Sequence, residues 1–329
     1  MPRRIVVTGG AGFIGSNFLH LIASEHPEWD LVNIDSLTYS GNLENVKDLA
    51  SNPKYSFHNV NICDRTALLE ILAEGDIIVN FAAETHVDNS ISESDIFVKT
   101  NVLGVQVLLD VARKKKASLF LQISTDEVYG SLTFDQRASK EEDNFCPSSP
   151  YSASKAAAEH LCTAAYRTHG LPTIITRSSN NFGPFQFPEK VIPLFVTNLI
   201  QGRKVPLYGE GRNVRDWIYV GDNCRAIDLV IQRGVVGEAY NIGGGNELTN
   251  LELTRRILTA MGKDESFIEK VADRPGHDLR YSLDSSKIKS LGWSPKFDFD
   301  SALRETVAWY EKNPGWWEPL KKIKGRRTS

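Results

Sequence analysis

The segment TGGAGFIG, residues 8–15, sets Gly9, Gly12 and Gly15 at the junction of a β-rich apolar run at 4–9 and an amphipathic run at 13–24. A strand that turns this tightly into a helix needs residues without side chains. It also leaves the helix N-terminus open to an anion. The pattern then repeats along the first half of the chain. Apolar β-rich runs at 31–35, 55–60, 76–83, 119–124 and 172–177 alternate with helical periodicity at 65–74, 101–115 and 151–169. Near-continuous apolar strands alternating with helices demand a parallel sheet covered on both faces. The expected fold is therefore α/β, a Rossmann-type doubly wound parallel sheet. Its ligands should lie at the carboxyl ends of the strands.

After about residue 180 the texture changes, with Pro- and Gly-rich stretches such as GPFQFPEKVIP and IGGGNELTN. We expect a Rossmann-like domain over 1–180, with a return segment near 221–242, and a smaller, loop-rich substrate domain over most of 181–329. Asp35 ends the second strand, twenty residues beyond the glycine turn. A carboxylate there accepts from a ribose diol and repels a 2′-phosphate, which selects NAD over NADP.

Further along, STDEVYG (124–130) precedes YSASK (151–155). Tyr151 and Lys155 are four residues apart and so share a helix face. The ammonium is expected to favour the phenolate and fit the Tyr to take a proton from an alcohol. Asp126 and Glu127 exceed what a simple alcohol dehydrogenase needs. They supply an acid and a base for a second reaction. Neighbouring side chains on a strand point to opposite faces, so the pair must lie beyond the strand's end, in a turn.

The remaining features narrow the class. The net charge of −3 gives no electrostatic reason for a nucleic-acid or membrane partner. The basic runs at 113–116 and 321–327 read as a helix C-terminus and a solvated tail. The four cysteines lie too far apart for a zinc or redox pair, so no metal is expected and a reducing compartment is. With the first strand at residue 4 and no long apolar run, a cytoplasmic location is expected.

On these residues the chain resembles the extended short-chain dehydrogenase/reductase family, and within it the dTDP-glucose 4,6-dehydratases. The likeness also runs through LTYSGNLENV, FAAETHVDNSI, SNNFGPFQFPEKVIPL, PLYGEGRNVRDWIYV and DRPGHDLRYSLD. It implies oxidation of the sugar 4-hydroxyl by Thr125, Tyr151 and Lys155. Elimination of water by Asp126 (acid) and Glu127 (base) follows, and then hydride return to carbon 6. Phe13, Ile14, Asp35, Ser36, Leu37, Thr38, Asn61, Ile62, Ala82, Ala83, Thr100 and Asn181, with the glycines, Tyr151 and Lys155, are implied to contact NAD. Thr85, Asn180, Lys190, Val191, Pro206, Leu207, Tyr208, Arg215, Asn250, Asp273, Arg274 and His277, with Thr125, are implied to surround the nucleotide sugar.

Thr85, Asn89 and Asn61 depart from the family's usual Ser, Arg and Asp. The Thr85 hydroxyl and the Asn61 amide oxygen keep the corresponding contacts possible. His86 is either a sugar contact or a structural histidine. The long helices at 101–115 and 151–169 resemble those that build a homodimer interface. Three rival readings are carried: a 4-epimerase, which needs no acid–base pair at 126–127, a dehydratase of another nucleotide sugar, and a non-catalytic NAD-binding regulator.

Overall fold

The computed structural model describes residues 3–86, 90, 93–272 and 278–324. Its centre is a seven-stranded sheet of β1 (Arg4–Thr8), β2 (Asp30–Asp35), β3 (Tyr55–Asn59), β4 (Ile77–Asn80), β5 (Leu119–Thr125), β6 (Thr173–Ser178) and β10 (Ala239–Ile242). The order is β10-β6-β5-β4-β1-β2-β3, and every pair is parallel. The winding direction changes between β1 and β4, and that is where a crevice opens.

Each central strand is apolar at successive positions because alternate side chains enter different cores. Ile5, Val7, Ile77, Val79, Leu119 and Leu121 face one, with Phe18, Leu19 and Ile22 of α1 (Phe13–Glu25). Val6, Ile78 and Phe120 face the other. That second core also takes Leu68 of α2 (Arg65–Ile71), Leu108 and Val111 of α3 (Val105–Lys114), and Ala158 and Cys162 of α4 (Pro150–His169). With both faces closed, most polar groups of the central strands lie towards their carboxyl ends. There, Thr8 donates to Asn80 and Asn80 to Gln122, a buried rung across β1, β4 and β5.

The second half builds a separate core. β7 (Asn180–Phe182), β9 (Val214–Tyr219) and β11 (Glu247–Thr249) form a three-stranded sheet, and β8 (Val205–Tyr208) pairs with β12 (Ile268–Val271). Around them pack α5 (Val191–Ile200), α7 (Asn250–Ala260), α9 (Phe299–Lys312) and α10 (Pro314–Lys324), burying Phe195, Ile257, Tyr310 and Trp317. Two elements of this half serve the large sheet. α6 (Val220–Arg233) buries Ile227 and Val230 in the core shared with α1, and β10 pairs with β6. The short helix α8 (Ser286–Ser290) adds Ile288 to the same core.

Two elements differ from the sequence pattern. The strand expected over 76–83 stops at Asn80, and residues 81–85 leave the pairing to line the crevice. The helix expected to begin near 101 is preceded by a π-helical run, Val98–Gly104. This wider coil brings Thr100 to the crevice, and Asn101 accepts from the Glu84 N–H (2.8 Å) and donates to its carbonyl (3.0 Å). Periodicity cannot reveal such a coil, because tertiary hydrogen bonds stabilise it.

The glycine turn is a steric requirement. Gly9 has φ +72°, and a Cβ on it would sit 2.6 Å from the Ala82 nitrogen. A Cβ on Gly15 would lie 2.3 Å from the Gly9 carbonyl oxygen. Gly15→Ala should therefore destabilise the protein by about 2 kcal/mol, read as a lower midpoint in urea unfolding with an unchanged slope.

Candidate active site

One cleft of about 320 Å³ runs along the carboxyl ends of β1 to β6. Its lining includes Gly9, Gly12, Phe13, Ile14, Gly15, Asp35, Ser36, Thr38, Asn61, Ile62, Ala82, Ala83, Thr100 and Asn181. Thr85, Thr125, Asp126, Glu127, Tyr151, Lys155, Asn180 and Lys190 border the same space. Residues more than 180 positions apart in sequence thus converge, because each strand delivers its following loop to one edge of the sheet.

The cleft's anion-binding end is the N-terminus of α1. Its cap is Gly12, with no side-chain hydrogen bond closing the first turn. Asp35 accepts from the backbone N–H of Ala11 (3.0 Å) and of Leu37 (2.8 Å). Burial raises its pKa, and those two hydrogen bonds work against the rise. Leu37 itself is in the left-handed region at φ +51° and does not line the cleft. The Asn61 amide oxygen accepts from the Cys63 N–H (2.9 Å), which holds the chain turning out of β3.

At the opposite end β5 finishes at Thr125, and Asp126–Tyr129 form one 3₁₀ turn capped by the Thr125 hydroxyl. This turn frees the two carboxylates from strand alternation. It closes at Gly130 (φ +79°), where a Cβ would meet the Cys146 carbonyl at 2.1 Å. α4 begins opposite, with Pro150 in its first turn and a reciprocal Ser149/Ser152 cap. That start sets Tyr151 in the first turn and Lys155 one turn later. The Lys155 ammonium donates to the Ile123 carbonyl at 2.6 Å, which ties the helix to β5.

The Tyr151 phenol is within hydrogen-bonding reach of Thr125. The expectation that Lys155 lowers the Tyr151 pKa is not met in this structure. Burial raises it first, and the charges of Glu127 and Asp126 raise it further. Lys155 is itself pushed down to about 8 by burial, with Glu159 opposing the shift. Burial of the phenol and the two nearby carboxylates thus set the direction of its shift.

Asp126 is pushed up to about 8, by burial first and then by Glu127 and Asp216. It is therefore a neutral acid at physiological pH. Its Oδ1 accepts from Thr125 (3.2 Å), and its Oδ2 is buried with no hydrogen-bond partner. Asp216, on β9, is buried with a raised pKa of the same origin. Nothing in the motifs had marked it, because its effect on Asp126 is tertiary.

Other residues fall elsewhere. Val191, Pro206, Leu207, Tyr208, Arg215 and Asn250 do not line this cleft. Arg215 is buried on β9, donates to the carbonyls of Val214 and Asp278, and lies over the Tyr281 ring at 4.3 Å. Its charge reaches both Asp126 and Glu127. Lys190 donates to the Thr85 carbonyl (3.4 Å), and His86 faces Glu189 at 3.3 Å. Asp273, Arg274, His277 and Asn89 lie outside the described residues. The sequence reading missed Tyr39, whose hydroxyl is hydrogen-bonded to Thr85, and the buried Glu84, whose pKa burial raises; both line the cleft.

Comparison with known proteins places this arrangement. Residues 6–306 match the family described as GDP-mannose 4,6 dehydratase. A dTDP-glucose 4,6-dehydratase of Streptomyces niveus is 50% identical over 325 residues, 97% of this chain and 96% of that protein. The chain belongs to the dTDP-glucose 4,6-dehydratase family. The crystal structure of such a dehydratase from Streptomyces venezuelae, with NAD and dTDP bound, superposes with a TM-score of 0.93 at 49% identity, covering 96% of this chain and 99% of that one. A UDP-glucose 4-epimerase of Thermotoga maritima shares the fold at 30% identity, with a TM-score of 0.87 over 94% of this chain and 99% of its own. The dehydratase family is thus the nearer kin by sequence, while the architecture is common to both.

The Asp126 pKa has a stability consequence. Its folded value lies above the ordinary 3.8, so the stability its proton contributes is full below about pH 4 and is lost as pH rises to about 8. Asp126→Asn should therefore melt above the wild type at pH 7–8, with the gain shrinking towards pH 4 in thermal scans. The wild-type kcat should fall above about pH 8, as Asp126 and Lys155 both lose their protons.

Proposed function

We infer that this protein removes water from dTDP-glucose to give dTDP-4-keto-6-deoxyglucose, as a redox-neutral lyase. The observation that carries the reading is the 3₁₀ turn after β5. It puts Asp126 and Glu127 into the same cleft as Thr125, Tyr151 and Lys155. An epimerase needs the last three groups but no acid–base pair, and a non-catalytic regulator needs none of the five.

The residues present fit NAD. Gly9 and Gly15 admit no Cβ, the α1 N-terminus is open to a pyrophosphate, and Asp35 offers a carboxylate at the end of β2. Asn61, Ile62, Ala82, Ala83, Thr100 and Asn181 would hold the remainder. NAD, when bound, supplies the two-electron acceptor for carbon 4 and the reductant for carbon 6, so it is retained through the cycle.

The chain's own groups move the protons. Tyr151 takes the proton of the 4-hydroxyl, held by Thr125. Its raised pKa makes this the step most in need of a nearby cation, the role assigned to Lys155. Once carbon 4 is a ketone, the proton on carbon 5 becomes acidic, because the resulting carbanion spreads onto the carbonyl oxygen. Glu127 removes it. Asp126, kept neutral by burial, protonates the departing 6-hydroxyl so that it leaves as water. Two adjacent carboxylates in distinct environments perform opposite tasks.

Thr85, Asn180 and Lys190 would contact the sugar from the cleft wall. Val191, Pro206 to Tyr208, Arg215 and Asn250, together with Asp273, Arg274 and His277, would surround the nucleotide sugar, with Arg215 and Arg274 on its diphosphate. In this reading 1–180, with the return near 221–242, forms the NAD-binding part, and 181–329 mainly the nucleotide-sugar part. Among the described residues no helix is long and apolar enough to cross a membrane, and we assign the enzyme to the cytoplasm.

We assign it as a homodimer. The segment before α3 exposes Ile96, Val98 and Leu103, and α4 exposes Tyr166, an apolar surface that a second copy would cover. Light scattering at micromolar concentration should give twice the 36.7 kDa chain mass. Incubation with dTDP-glucose and no added reductant should yield a 4-keto-6-deoxy product that absorbs in alkali. Glu127→Gln should cut its formation by roughly a hundredfold or more while leaving oxidation at carbon 4 measurable as bound reduced cofactor. Product at the wild-type rate would remove Glu127 from the role.

A further inference from the structure

Arg177 of β6 is buried beside Ser124 of β5 and opposite Asn241 of β10 in the sheet register. Its Nε donates to Glu159 at 2.9 Å and its Nη2 to the same carboxylate at 2.7 Å. Glu159 lies on α4, one turn beyond Lys155. The Nη1 donates to the Tyr129 phenolic oxygen and to the Glu141 carbonyl (3.0 Å). Tyr129 in turn donates to the Asn241 amide oxygen at 2.9 Å. Tyr129 is the last residue of the 3₁₀ turn that carries Asp126 and Glu127.

Three elements bear the reactive groups: the turn, the helix and the sheet. All three meet at this one guanidinium, behind the cleft. None of Arg177, Glu159 and Tyr129 lines the cleft, so they reach a substrate only through the groups they hold. A buried ion pair is a weak source of stability, since well-packed apolar residues of similar volume often do as well. What a two-pronged guanidinium contact adds is a fixed relative geometry.

We propose that Arg177, bridging Glu159 and Tyr129, is a positioning residue that sets the Asp126/Glu127 turn against the Tyr151/Lys155 helix and thereby governs the elimination step. The inference rests on the dehydratase reading above. The sugar must be served by two groups on α4 and then by two on the turn, without leaving the site. A misplacement of about 1 Å between the two sets costs up to a hundredfold. The Tyr129 hydroxyl is the link most easily removed. Its ring would still pack edge-on to Phe145 and under Arg177, and Arg177 would keep Glu159 and Glu141.

Tyr129→Phe tests this in single turnovers of the holoenzyme with dTDP-glucose in heavy water. Near-ultraviolet absorbance of the bound reduced cofactor reports oxidation. Product bearing deuterium at carbon 5 reports elimination and reprotonation. The variant should form reduced cofactor within about twofold of the wild type and hold KM within about twofold, yet eliminate at least about tenfold more slowly. Its melting temperature should fall by about 4 °C or less. Arg177→Lys, which keeps the charge and loses the fork, should retain more elimination than Arg177→Met.

If both half-reactions of Tyr129→Phe slow equally, or elimination is unchanged, the positioning role is overturned. If Arg177→Met does not fold, Tyr129→Phe still decides. A wild-type enzyme that gives no 4-keto-6-deoxy product overturns the dehydratase reading, and this inference with it. A wild-type enzyme that does, beside a variant that fails as above, overturns the positioning role alone.

Discussion

A parallel sheet buried on both faces is the constraint from which the site follows. Ile5, Val6 and Val7 enter two different cores in turn, so the central strands have no solvent-facing side on which to carry polar groups. Polar chemistry is pushed to the strand ends, and the parallel arrangement puts all the carboxyl ends on one edge. The Thr8–Asn80–Gln122 rung marks where the apolar interior stops. At that edge lie the glycine turn and Ala82, in the loops that follow β1 and β4, with Asp35 and Thr125 as the last residues of β2 and β5.

The same burial that stabilises the sheet tunes the reactive groups. Asp126 sits close enough to the interior for desolvation to keep it protonated, while Glu127, next in sequence, is turned into a different environment by a single 3₁₀ turn. Burial favours the acid form of Asp126, the more enclosed of the two. The phenol of Tyr151 is held up by the same physics, burial first and then the two carboxylates of the turn.

Sequence and structure agree where local chemistry decides. The Gly9 and Gly15 positions, Asp35 at a strand end, the Tyr151/Lys155 spacing and the turn at 126–127 were all legible, because each follows from backbone geometry or helix period. The π-helical run at 98–104, the early end of β4 and the proximity of Asp216 to Asp126 were not. They depend on Asn101 clasping Glu84, on residues 81–85 leaving the sheet, and on a strand from the second half approaching β5. Tyr39 and Glu84 escaped notice for the same reason: their neighbours in sequence carried the motif, and only the folded cleft shows that they share it.

By itself, then, the amino-acid order determined the kind of sheet and which motifs its strands deliver to the carboxyl edge. Strand hydrophobicity, glycine sterics and the helix period are short-range rules written into neighbouring residues. Tertiary structure alone decided the upward shifts of Asp126 and Tyr151 and the meeting of turn, helix and sheet at Arg177. Those depend on how much water is excluded and on which distant charges come close, and no stretch of sequence encodes either quantity locally.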